Sequence, residues 1–93
     1  MGKDEEKPKE QEIGKVDHYY SKIGVAVIEL SGELKVGEEI HIKGATSDFK
    51  QNVESIQIEH DKLEEAKAGQ SIGLKVKEPV RQNDKVFKVP QHL

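Results

Sequence analysis

The side chains with the widest chemical range in this sequence are four histidines, His18, His41, His60 and His92. Imidazole moves protons near neutral pH and ligates metals. Their spacing matches no zinc-ligand pattern, and the chain contains no cysteine, which removes thiolate ligation, disulfides and a cysteine nucleophile. No metal and no other cofactor is therefore expected. The run Glu59-His60-Asp61-Lys62-Leu63-Glu64-Glu65 concentrates acidic and basic groups, but such groups catalyse within a cleft that perturbs their pKa. No orienting third group or oxyanion site accompanies His60 and Asp61, so the run reads as a solvated connector. Ser21, Ser31, Ser47, Ser55 and Ser71 lack the Gly-x-Ser-x-Gly elbow of a hydrolase nucleophile. The chain itself is not expected to be an enzyme. His18-Tyr19-Tyr20 is the one aromatic cluster, and it offers a stacking platform of the kind used by single-stranded nucleic-acid modules; the competing reading is strand tyrosines that line a barrel.

The elements that must position these residues are bounded by length. Ninety-three residues make one domain, and a domain of this size buries only about 60–65% of its unfolded surface. The hydrophobic fraction is 33% and the charged fraction 35%, yet the apolar residues cluster into β-branched runs between polar turns, as an ordered fold requires. Residues 1–12 carry Lys, Glu and Asp around Pro8 and read as a disordered charged tail, leaving 13–93 as the single domain. Of 15 basic and 18 acidic residues, Lys3, Lys7 and Lys9 and Asp4, Glu5, Glu6, Glu10 and Glu12 fall in that tail. The remainder is nearly neutral, which gives no support to a grip on nucleic acid through phosphates. No apolar stretch reaches membrane-spanning length and no secretory signal is visible, so a cytoplasmic chain without membrane contact is expected. Abundant Glu and Lys with one Met and no Cys also resembles the compositional habit of thermophile proteins.

Ile13, Val16, Tyr19 and Tyr20 lead into the apolar run Ile23 to Leu30, predicting two strands joined near Ser21-Lys22. Glu39, His41 and Lys43 alternate with Ile40 and Ile42, predicting a half-buried strand with its polar side to water. Phe49 to His60 reads as one longer strand whose inward parity changes between Val53 and Ile56, predicting a bulge near Glu54-Ser55. Leu63 to Ala68 predicts a helical turn or an irregular strap with Leu63 and Ala66 inward. Ile72, Leu74 and Val76 form another alternating strand, and after the Asn83-Asp84 turn a last one carries Val86, Phe87 and Val89 up to Pro90. Short strands and turns without a long helix indicate an all-β barrel or sandwich.

Three ordered segments carry a resemblance. Leu34-Lys35-Val36-Gly37-Glu38-Glu39-Ile40, then Val53-Glu54-Ser55-Ile56-Gln57-Ile58, then Leu63-Glu64-Glu65-Ala66-Lys67-Ala68-Gly69-Gln70-Ser71-Ile72-Gly73-Leu74 resemble the second domain of elongation factor Tu-like translation GTPases. The match covers about Ile13 to Val89 and is similar as well to the C-terminal barrel of collagenase-like peptidases. It implies a small closed antiparallel barrel of six to seven strands, with Gly37 and Gly69 at positive-φ reversals and Gly73 permitting close strand packing. In that family nucleotide hydrolysis belongs to another domain, and neither Gly2-Lys3 nor Gly14-Lys15 meets the phosphate-loop spacing, so no GTP binding is expected of this chain. Where tRNA-delivering members place an acid that stacks on the terminal adenine, this sequence carries Gln57, and a nearby basic position matches His60. Both positions depart from the family's tRNA-end pocket, so that contact is not carried over. The chain is expected to be a non-catalytic binding module that presents His18, Tyr20, Gln57 and His60 to RNA or to a protein partner in translation or RNA modification. The alternative is an accessory subunit docking in trans onto a larger peptidase-like or RNA-modifying enzyme. Ile23 to Leu30 leaves open a face for a second copy, and a monomer or weak homodimer is expected.

Overall fold

Inward-facing Ile and Val, joined by Leu, Ala and Phe, make the core of the described residues. The structure, a computed structural model, describes residues 10–58 and 61–90. Among them lie ten strands: β1 (Gln11–Tyr20), β2 (Val25–Leu30), β3 (Leu34–Lys35), β4 (Glu39–Lys43), β5 (Asp48–Asn52), β6 (Ile56–Ile58), β7 (Asp61–Leu63), β8 (Glu65–Ala66), β9 (Ser71–Lys75) and β10 (Lys85–Lys88). Eight form one sheet in the order β5-β4-β10-β1-β2-β9-β6-β7, and β3 pairs with β8 in a separate ribbon. Every pairing is antiparallel. The all-β expectation is met. The segment from Leu63 to Ala68 is a strap of short strands, with Ala66 buried and Leu63 packed against the core.

The inward positions meet in rows across the sheet. Val16, Ile28 and Ile72 are direct cross-strand neighbours, as are Ala26, Leu74 and Ile56. Phe49 from one end of the sheet and Ile56 from near the other belong to the same buried cluster, so the sheet curls around a single core. The expected full closure is not made by a ladder: among the described residues, β5 and β7 at the two ends do not pair. Side-chain bonds tie β5 to the end of β9 instead: the Gln51 side-chain amide donates to the Lys75 carbonyl and accepts the Lys77 N–H, both at 2.8 Å. The β3–β8 ribbon is continued by the Val36 N–H, which donates to the Glu64 carbonyl at 2.9 Å.

Phe49 to His60 is not one bulged strand. The chain leaves the β4 ladder after Asn52, where Val53 exchanges hydrogen bonds of 2.8 Å with Glu38 and Gly37, and β6 then pairs with β9 and β7 instead. Val53 and Ile56 are both buried because they serve two different strand environments, which produces the parity change that resembles a bulge. The bulges lie in β1 instead, between Glu12 and Gly14 against β10 and between Val16 and His18 against β2. Gly37 and Gly69 occupy reversals at φ of +99° and +91°, a conformation open to glycine at little cost.

Candidate functional site

The second β1 bulge sets up an outer face that carries His18 and Tyr20. An uninterrupted strand would place His18 and Tyr20 on the same side as buried Val16. The extra residue, Asp17, reverses that parity: Tyr19 turns toward the core, while His18 and Tyr20 turn outward. Their ring centroids lie 4.4 Å apart at 59°, the separation of a tilted aromatic pair.

From His18 a row of directly opposed residues crosses the outer face through Val27 of β2, Gly73 of β9 and Gln57 of β6 to Lys62 of β7. At about 4.8 Å per strand, Gln57 sits roughly 14 Å from His18. The structure therefore brings His18, Tyr20 and Gln57 onto one face but not into one pocket. His60, the fourth expected site residue, lies outside the described residues. A hollow of about 200 Å³ opens between them, lined by Ile23, Val25, Ser55, Gln57, Gly73 and Lys75. A second, of about 300 Å³, is lined by Tyr19 to Ile23. Ile23 and Tyr20 are 61% and 50% exposed, so apolar side chains dominate the rim where the hairpin turns. Gly73 does not enforce close packing, because a Cβ there would meet Val25 and the Gln57 carbonyl at 3.5 and 3.7 Å, ordinary contact distances. Its effect is to leave the floor of the hollow bare.

A polar cluster lies near the other end of β1. His41 Nδ1 is 2.8 Å from Glu10 Oε1, and Nε2 is 2.6 Å from Asp48 Oδ1. The His41 hydrogen bond is the main cause holding the Asp48 carboxyl below its usual value, with smaller help from the charges of His41, Lys43 and Lys50. Sequence alternation placed His41 toward water; its side chain is only 12% exposed because Glu10 folds over it. Glu10 falls within the segment expected to be a tail, whereas β1 begins at Gln11. Residues 1–9 of that segment lie outside the described residues. Among the described residues no group of three or more His, Cys, Asp or Glu is arranged to hold a metal, and no helix is long and apolar enough to cross a membrane.

An antiparallel sheet curled on one core, with glycine reversals before β4 and β9, is the architecture of a known domain class. The profile of the Elongation factor Tu domain 2 family matches residues 25–87, and the chain belongs to that family. Among its relatives, an uncharacterized protease of Methanocaldococcus jannaschii is 43% identical over 77 residues, covering 82% of this chain and 19% of the relative. A collagenase of Porphyromonas gingivalis is 45% identical over 78 residues, covering 82% of this chain and 22% of its own length. The chain thus spans about a fifth of the length of these relatives. Among solved structures, the C-terminal domain of a Geobacillus thermoleovorans chain assigned to the U32 peptidases superposes with a TM-score of 0.81 at 25% identity, covering 86% of this chain and 93% of that one.

Proposed function

We propose that this chain is a non-catalytic docking module whose outer face, across β1, β2, β9 and β6, seats a protein partner in a peptidase-like assembly. The observation that carries the reading is a partly open face, edged by the exposed apolar side chains of Tyr20 and Ile23, on a domain that forms about a fifth of relatives named protease or collagenase. Exposed Tyr20 and Ile23 beside a hollow with a bare glycine floor are the kind of anchors and recess through which interface energy concentrates. A second reading, RNA on the same face in translation or RNA modification, draws on the His18–Tyr20 ring pair and on Lys62 and Lys75 at its border. Near-neutral charge outside residues 1–12 favours the protein partner. On this reading the module works in the cytoplasm, as a monomer or weak homodimer, and does not bind GTP.

The test is biolayer interferometry of this chain against the Methanocaldococcus jannaschii protease with its own matching segment deleted, and separately against single-stranded RNA. Saturable binding to the protein, weakened at least about tenfold by joint Tyr20→Ala and Ile23→Ser replacement, is the expected result. Saturable RNA binding alone would replace the first reading with the second, and binding to neither would remove both.

A further inference from the structure

His41 is a partly buried titratable side chain that the docking face does not use. It stands on β4 directly opposite Lys50 of β5 and Phe87 of β10. One ring nitrogen meets both oxygens of Glu10 at 2.8 and 2.9 Å, and the other meets Asp48 at 2.6 Å. Neutral imidazole carries a donor on one nitrogen and a lone pair on the other. Two ionised carboxylates are satisfied together only when both nitrogens carry protons. Asp48 stays an acceptor throughout the range in which imidazole changes charge, since its carboxyl titrates below the usual carboxylate range.

The other charges around the ring are few. From β5, Lys50 Nζ reaches Glu10 Oε2 at 3.9 Å. From β4 itself come Glu39 and Lys43; from β10, Lys85 lies opposite Lys43; and from β1, Glu12 lies opposite Phe87 and 3.9 Å from Lys85. Glu10 leads into a strand start that is weakly held. Gln11 and Glu12 pair with β10 alone, ahead of the bulge, and β2 joins only from Gly14 onward.

We propose that His41 is a proton-operated clasp on the start of β1. Doubly protonated, it ties Glu10 across the sheet to Asp48 and holds Gln11 and Glu12 on β10. With one proton lost, it serves only one carboxylate, and the start of β1 is released. This inference stands apart from the docking reading.

The experiment is NMR on the full 93-residue chain, following the His41 ring resonances and the backbone order parameters of Gln11 and Glu12 from pH 5 to 8. Expected is a fall from the rigid range near 0.85 to below about 0.6, in step with His41 deprotonation, while Val16 and Ile28 stay rigid. Glu10→Ala and His41→Ala should show the released state already at pH 5. Should His41→Ala fail to fold, Glu10→Ala carries the test from the margin of the domain. Order parameters that stay constant while His41 titrates, a ring that keeps both protons up to pH 8, or a Glu10→Ala chain as rigid as the parent would each overturn the clasp.

Discussion

Replacing Gly44 with alanine isolates one steric contact in this fold. Gly44 lies just beyond β4, and its N–H donates to the Ser47 carbonyl at 2.7 Å. Its φ is outside the left-handed region, so an alanine meets no backbone strain. The added Cβ would instead fall on the carboxylate of Asp84. That side chain has little room to retreat: Asp84 is 5% exposed, and its Oδ2 accepts the Arg81 N–H at 3.0 Å. Overpacking a tight site costs about 1–3 kcal/mol, and losing a hydrogen bond to a charged acceptor about 1.5–3. The lower entropy of an unfolded alanine chain returns about 0.4–1. Gly44→Ala should therefore destabilise the domain by about 2–5 kcal/mol, a large part of what a domain of this size holds. Urea unfolding of the two single variants and the double variant gives the thermodynamic cycle. With Asp84→Ala the site is vacated, and the alanine at position 44 should then cost less than about 1 kcal/mol, a coupling well above the error of additivity. Equal cost in both backgrounds, or a Gly44→Ala chain within about 0.5 kcal/mol of the parent, would refute the reasoning.

Ile56 is fully buried where β6 joins Leu74 of β9 and Leu63 of β7, and Ile56→Ala should cost about 2–5 kcal/mol in urea unfolding; a loss under about 1 kcal/mol would mean that the far end of the sheet is loosely packed. The depressed pKa of Asp48 stabilises the fold above the ordinary carboxylate value and is lost as pH falls through the lower folded value. Asp48→Asn should therefore flatten the acid limb of a stability profile without altering the Tyr20 face, and a limb as steep as the parent's would refute the His41–Asp48 contact.

Alternation made β4 legible, because Ile40 and Ile42 are fully buried between part-exposed Glu39 and His41. The glycine reversals at positions 37 and 69 were equally plain, since the turn chemistry is local. What was hidden depends on partners distant in the chain. A bulge at Asp17 leaves no mark in composition, yet it decides that Tyr20 and not Tyr19 faces outward. The buried pair Val53 and Ile56 fits a bulged strand or two separate strands equally well, and only the partners, the Gly37-Glu38 turn for one and β9 for the other, distinguish them. Glu10 sits in a run of mixed charges that suggests solvent, and its carboxylate finds His41 31 residues away. The need for glycine at position 44 likewise comes from Asp84, across the fold.

The docking claim is tested most directly by filling the hollow. Gly73 has ordinary clearance for a Cβ, so Gly73→Lys should fold while its side chain occupies the floor between Val25 and Gln57. Val36, 39% exposed beside Leu63 and Glu64, lies away from that face and supplies the control. Titration calorimetry against the domain-deleted protease should show Gly73→Lys weakening binding at least about tenfold, with Val36→Ser unchanged. Full affinity in Gly73→Lys, or a loss confined to Val36→Ser, would place the interface elsewhere and contradict the account.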